Sequence, residues 1–310
     1  MIAFLFPGQG SQKVGMGRSL ADEHAICRDT MAEADAALGE FLSRLCYEGP
    51  DDQLRLTENT QPAILAVSVA AARLLLSNGV RPSFMAGHSL GEYAAHVVAG
   101  TFSFADALRT VRRRGRYMQE AVPDGVGAMA AVLGLDLDGV QRACAEAAHG
   151  DVVSPANINA PDQIVIAGTA PAVVRAGEGA KRLGAKRVVP LTVSAPFHCA
   201  LMAPAQARLE PDLRALDVGD PRPPVVTNVD AEPAHDGAAA VEALIRQVAA
   251  PVRWTDVIHR LASEGVRDYV EVGPGNVLTG LLRKIDPTAR GVSVDDRDGW
   301  AGVERWLQDS

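Results

Sequence analysis

Short apolar runs alternate along this chain with longer amphipathic stretches, and that alternation leaves few ways to fold. Parallel strands have to be joined by a crossover that returns over the sheet, usually a helix, so the pattern predicts an α/β fold with a helix-covered parallel sheet. Residues 2–6 read as a buried first strand and Ile64 to Leu76 as a helix. Ser83 to Ala86 form a short strand that enters Gly87 and a second helix, Leu90 to Val98. After a polar turn at Pro123-Asp124-Gly125 the texture changes. Runs at 127–135, 163–168 and 186–192 alternate with helical stretches at 137–148 and 171–183. This β-α-β-α-β order predicts a small α+β insert over residues 125–192. At roughly 150 residues per domain, 310 residues then divide into a large domain, 1–124 with 193–310, and the insert. The tail after Asp286 is expected to be a surface extension.

Composition removes several function classes. Charged residues are 22% and hydrophobic ones 47%, too apolar for a disordered chain. A net charge of −8 with 5% aromatics argues against nucleic-acid binding. The insert carries six acidic and six basic residues, so the negative charge lies elsewhere. Cys27, Cys46, Cys144 and Cys199 show no metal-ligand spacing, which predicts no metal site, free thiols and a cytoplasmic address. No apolar run reaches the ~18 residues of a membrane helix, and Met1–Phe6 lacks the basic flank and cleavage site of a signal peptide, so no membrane association is expected.

The sharpest local signal is Gly87-His88-Ser89-Leu90-Gly91, a G-x-S-x-G between a strand and a helix. A strained turn there pushes the Ser89 hydroxyl outward as a nucleophile, and the following helix favours developing negative charge. On its own the pentapeptide is equally a glycine-flanked turn; the strand and helix around it favour the nucleophile. A second glycine loop, Pro7-Gly8-Gln9-Gly10-Ser11-Gln12, follows the first strand. Gly10 and Gly15 have the spacing of a phosphate loop, but Met16 and Gly17 stand where Lys and Ser or Thr are needed, which excludes nucleotide binding. The backbone N–H groups of Gln9 and Leu90 would instead form an oxyanion hole, although the loop alone also serves as a plain strand–helix connection.

A serine nucleophile needs a base. His88 adjoins the nucleophile in sequence, His259 sits in a helix, and His24, His96, His149 and His235 lack supporting neighbours. His198 stands apart at the end of the extended run 193–197, where the chain leaves the insert and a helix begins. The segment 109–116 puts five arginines into eight residues. Such a run is usually a solvated helix face. Helical spacing, however, places Arg114 about 160° from Arg112, and an inward guanidinium needs a carboxylate that an anionic acyl group would provide.

Taken together, Phe6-Pro7-Gly8-Gln9-Gly10-Ser11-Gln12, Gln61-Pro62-Ala63, Gly87-His88-Ser89-Leu90-Gly91-Glu92-Tyr93, Arg114-Gly115, Gln119–Pro123, Ala195-Pro196-Phe197-His198 and Glu271–Gly275 resemble the malonyl-CoA:acyl carrier protein transacylases, collinearly over nearly the whole chain. The resemblance implies an α/β-hydrolase-like large domain, a ferredoxin-like insert and an active site between them. It implies Ser89 attacking malonyl-CoA with His198 as general base, Gln9 and Leu90 holding the oxyanion, and Arg114 the malonyl carboxylate. It further implies that a backbone carbonyl in the Arg246-Gln247 segment orients the histidine, and it carries over Gln247 and, more weakly, Gln61 as site residues. Asn157 and Asn159 match a family Asn-x-Asn with either a loop-structuring or a substrate role, and His88 reads as structural.

Phe197 resembles the residue that narrows the pocket of malonyl-selective members, so malonyl should be favoured over methylmalonyl by roughly 1–3 kcal/mol. The rival activity is a serine acyl hydrolase acting on carrier proteins, which has little use for a buried Arg114. A noncatalytic scaffold leaves Ser89 and His198 unexplained. With malonyl-CoA as donor, no bound cofactor is implied. The acidic acyl carrier protein, from fatty-acid or polyketide synthesis, would dock on a local basic patch, either Arg112, Arg113 and Arg116 or Lys181, Arg182, Lys186 and Arg187. A monomer is the family-like expectation.

Overall fold

A computed structural model describes residues 1–308 except Asp124. The chain runs β1 (Ile2–Phe6), α1 (Arg18–Glu23), α2 (Ala25–Leu38), α3 (Leu42–Glu48), α4 (Asp51–Leu54), α5 (Thr57–Ser77), β2 (Phe84–Gly87), α6 (Gly91–Val98) and α7 (Phe104–Glu120). It continues β3 (Gly127–Leu133), α8 (Leu137–Ala147), β4 (Val153–Ala160), β5 (Gln163–Thr169), α9 (Ala170–Arg182) and β6 (Arg187–Pro190). The last part is α10 (Ala203–Arg214), β7 (Val225–Val226), β8 (Pro233–Ala234), α11 (Gly237–Gln247), α12 (Trp254–Ser263), β9 (Asp268–Val272), α13 (Val277–Ile285), β10 (Arg290–Val294) and α14 (Arg297–Gln308).

The main sheet has the order β10-β9-β1-β2-β7-β8, parallel except for β8. The apolar run of β1 is unbroken because both faces of the sheet are covered. Phe4 and Phe6 enter one hydrophobic core, and the alternate Ala3 and Leu5 enter a second core on the other face, with Trp254 and Leu261 of α12. Adjacent parallel strands put their following loops at the same sheet edge. With Phe6 opposite Gly87 and Ala86 opposite Val226, the Gln9 loop, the Ser89 turn and the segment after β7 therefore converge.

The second sheet is antiparallel, with the order β4-β5-β3-β6 and connectivity βαββαβ, which is ferredoxin-like. One face forms a core of its own with Val140, Ala143, Val173 and Ala176 of α8 and α9. From the other face Met129, Ala156, Val165 and Ala167 join the core of the main sheet.

Three expectations need correction. The insert has a fourth strand, β4, which the sequence hides: it carries Pro155, Asn157 and Asn159, and its pairing with β5 shifts register twice. The tail after Asp286 is no mere surface extension, because β10 extends the parallel sheet beside β9 while Trp300 and Val303 of α14 are buried in the main core. Finally, α5 is long and apolar enough by length and composition to cross a membrane, but here it is a core helix with most of its residues buried. Of the turn at 123–125, Asp124 lies outside the described residues.

Candidate active site

Ser89 follows β2 with φ at +52°, a left-handed conformation that an L side chain adopts under strain. The glycines around it make the turn feasible. A Cβ on Gly87 would lie 1.9 Å from the Gly91 carbonyl carbon, and one on Gly91 would lie 2.0 Å from the Phe6 oxygen. A Cβ on Gly8 would lie 2.5 Å from the His88 oxygen, so the two loops touch backbone to backbone.

His198 Nε2 lies 2.7 Å from Ser89 Oγ, and His198 Nδ1 lies 2.9 Å from the Gln247 carbonyl oxygen. That carbonyl can only accept, so the proton sits on Nδ1 and Nε2 is left as the acceptor for the serine hydroxyl. Burial, with the Arg114 charge in addition, pushes His198 down to about 3, so the ring is neutral at ordinary pH and its Nε2 lone pair is free to accept the serine proton.

Arg114 is 1% exposed, alone among the neighbouring arginines. Arg109, Arg112, Arg113 and Arg116 pair outward with Asp106, Glu40, Asp212 and Glu58. The Arg114 guanidinium instead donates to Gln61 Oε1 at 2.9 Å, Gln247 Oε1 at 2.9 Å and Ser89 Oγ at 3.1 Å, and stacks over the Tyr93 ring at 5.4 Å. All three acceptors are neutral, and Arg114 Nε has no partner among the described residues.

These groups meet in a cavity of about 560 Å³ between the two sheets, lined by Gln9, Gln61, Ser89, Leu90, Arg114, Phe197 and His198 together with Met129 and Val165 of the insert. Among the described residues the backbone N–H groups of Gln9 and Leu90 have no acceptor within the protein. All the residues expected from the sequence are thus brought together, with Gln247 in the layer behind Ser89.

His88 Nε2 lies 2.8 Å from Asn159 Oδ1 and the ring packs 5.5 Å from Trp254, which ties the turn to the insert. Asn157 lines the cavity with a buried Oδ1 that has no hydrogen-bond partner among the described residues. Among the described residues no cluster of His, Cys, Asp or Glu side chains is placed to hold a metal ion.

Sequence reasoning missed Asn228. Its Oδ1 accepts from the Ser89 N–H at 2.7 Å and its Nδ2 donates to the Gly87 oxygen at 2.7 Å, bracing the strained turn from both sides. No motif marks it. Glu92 lay inside a quoted motif without an assigned role. It is fully buried, and its Oε2 accepts from Gln247 Nε2 at 2.8 Å and the Asn228 N–H at 2.9 Å. Burial raises its carboxyl to about 7, against the pull of those donors and of Arg114. A hydroxyl beside a neutral imidazole, two unused N–H groups and a buried cation suit acyl transfer onto serine from a substrate that carries negative charge.

The acyl transferase domain family matches residues 3–294. The malonyl CoA-acyl carrier protein transacylase of Escherichia coli (strain K12) is 50% identical over 302 residues, covering 97% of this chain and 98% of its own. Among solved structures, an acyl carrier protein S-malonyltransferase from Vibrio cholerae superposes with a TM-score of 0.96 at 48% identity, covering 97% of this chain and 99% of that one. A malonyl-transacylase in complex with its type II polyketide synthase acyl-carrier protein superposes with a TM-score of 0.95 at 48% identity, covering 97% of each chain. This chain belongs to the acyl transferase domain family.

Proposed function

We propose that this protein transfers a malonyl group from malonyl-CoA to the phosphopantetheine thiol of acyl carrier protein through a malonyl-Ser89 intermediate. His198 Nε2 takes the Ser89 proton as Oγ attacks the thioester carbonyl. The N–H groups of Gln9 and Leu90 hold the oxyanion, a contribution on the order of 3 kcal/mol per donor. Collapse breaks the C–S bond, and the CoA sulfur leaves with the proton from His198. The carrier thiol then gives its proton to His198 and attacks the Ser89 ester, and Ser89 leaves reprotonated. Gln247 orients the base through its carbonyl, Gln61 and Gln247 hold the guanidinium, and Phe197 narrows the acyl pocket against α-branched groups. Residues 125–192 act as a separate domain that closes the cavity.

The observation that carries this reading is Arg114, buried against the nucleophile and bonded only to neutral acceptors. A bidentate carboxylate on the acyl group complements it, whereas a hydrolase for neutral acyl chains gains nothing from it. The four buried free thiols agree with a reducing, cytoplasmic setting. Intact-protein mass spectrometry after brief exposure to malonyl-CoA tests the proposal. A malonyl adduct absent from Ser89→Ala and discharged by acyl carrier protein supports it, and an adduct lost to water equally fast without the carrier protein refutes it.

A further inference from the structure

We propose that Glu92 is the counter-charge of Arg114, held one amide away by Gln247 so that the guanidinium stays open to the substrate carboxylate. The inference rests on the reading above, in which Arg114 binds the malonyl anion. A fully buried guanidinium without a compensating negative charge is strongly destabilising. Arg114 has no carboxylate in contact, yet one lies directly behind its hydrogen-bond partner. Arg114 Nη2 donates to Gln247 Oε1 at 2.9 Å, and the other end of the same amide donates to Glu92 Oε2 at 2.8 Å. Cation, amide and carboxylate are therefore aligned head to tail, and each polarises the next.

The spacing has a consequence for specificity. A carboxylate bonded directly to Arg114 would form a forked pair and occupy the donors that an acyl carboxylate needs. With the charge set back by one amide, the site is compensated overall while Nη2 still reaches Ser89 Oγ. Glu92 is itself fixed by the Asn228 N–H at 2.9 Å and lies in the first turn of α6, where the helix dipole favours an anion. Its Oε1 is buried with no partner among the described residues, so little besides Gln247, Asn228 and the Arg114 field steadies it. Glu92 thus acts through Gln247 and Arg114 as a positioning residue.

The test, run at pH 8 so that Glu92, raised by burial to about 7, carries its charge, compares the parent, Glu92→Gln, Arg114→Ala and the double variant in two readouts: malonyl and acetyl loading of Ser89 at equal concentrations of the two CoA esters, and the thermal unfolding midpoint. Removing the counter-charge makes the site more positive. Glu92→Gln should therefore raise the malonyl-to-acetyl ratio roughly tenfold, the scale of a unit charge acting across one amide in a protein interior. It should also destabilise the protein while Arg114 is present and do so much less, or not at all, in the Arg114→Ala background. Equal loss of both substrates, or thermal effects that simply add, overturns the proposal and leaves Glu92 as a brace for the turn. If Glu92→Gln fails to fold, recovery of a cooperative transition in the double variant supports the charge pairing, and failure of the double variant overturns it. A parent with no malonyl preference but with thermal coupling intact defeats the proposed function and leaves the Glu92–Arg114 pairing standing.

Discussion

Arg114 Nη2 donates to Ser89 Oγ at 3.1 Å, which sets the one buried cation among the described residues against the atom that would carry the acyl group. A group on Ser89 that ends in a carboxylate is thereby held at both ends, while one that ends in a methyl is held only by its ester. Replacing Arg114 by Ala should lower malonyl loading roughly a hundredfold or more, as for the loss of a buried charged partner, and spare or raise acetyl loading. Rapid-quench mass spectrometry with the two CoA esters reads both rates, and unchanged malonyl kinetics would remove the clamp from the mechanism.

The pH dependence follows from two buried histidines. His198 and His96 are both pushed by burial from 6.5 to about 3, so each is neutral in the folded protein and protonated below pH 6.5 once unfolded. Their contribution to stability is full above pH 6.5 and is lost as the pH falls toward 3. Glu92, raised from 4.5 to about 7, opposes them between those values, so the loss should be shallow down to about pH 4.5 and steeper below. Thermal midpoints at stepwise lower pH check this, and His96→Gln should flatten the slope. Within the range where the protein stays folded, malonyl loading should not fall between pH 7 and 5, and should rise relative to acetyl loading as Glu92 takes up its proton. A tenfold fall there would show His198 titrating near its ordinary value.

The elbow was legible in the sequence because its glycines are required by geometry that any such turn must satisfy. The arginine run was legible for a similar reason: a helix fixes the angle between Arg112 and Arg114, and the structure places the first in a surface ion pair and the second in the site. Asn228 was not legible, because its bonds to Gly87 and Ser89 join positions more than 130 residues apart in sequence and exist only once β7 lies beside β2. The strand β4 was hidden by its own polarity, since Asn159 serves His88 and Asn157 faces the cavity rather than a core. The last strand, Arg290–Val294, was misread for a related reason: it is a sheet edge, and although α13 and α14 both pack against it, Arg290, Gly291 and Ser293 deny it the apolar run of β1.

Glycines divide by what surrounds them. Gly91→Ala should destabilise by roughly 3 kcal/mol or more and abolish the adduct, because its Cβ would lie 2.0 Å from the Phe6 oxygen and neither backbone can yield in a packed sheet edge. Gly280 lies in the interior of α13, exposed, with no neighbour within 4 Å. Alanine there should stabilise by about 0.5–1 kcal/mol through helix propensity and leave loading unchanged. Denaturant melts of the two variants, run with the loading assay, separate the cases.

The two basic clusters considered for carrier-protein docking differ in how much of their charge is free. Arg112, Arg113 and Arg116 each already face a carboxylate, those of Glu40, Asp212 and Glu58. Lys181, Arg182, Lys186 and Arg187 are exposed and form no ion pair among the described residues, and they converge where the end of α9 meets the start of β6. From Arg187 the chain runs through β6 to Leu191 at the cavity, roughly 13 Å at the rise of an extended strand, with Thr192 and Ser194 lining the cavity beyond it. An acidic carrier protein approaching a molecule of net charge −8 gains most from the unpaired cluster beside the cavity. Reversing the charge of Lys181, Arg182, Lys186 and Arg187 together should therefore raise the KM for acyl carrier protein roughly tenfold or more and weaken its salt dependence. Formation of the malonyl adduct from malonyl-CoA should be unaffected. Reversing Arg112, Arg113 and Arg116 should instead break three surface ion pairs, lowering the unfolding midpoint with little change in that KM. The opposite assignment of the two effects would move the docking site from the insert to α7.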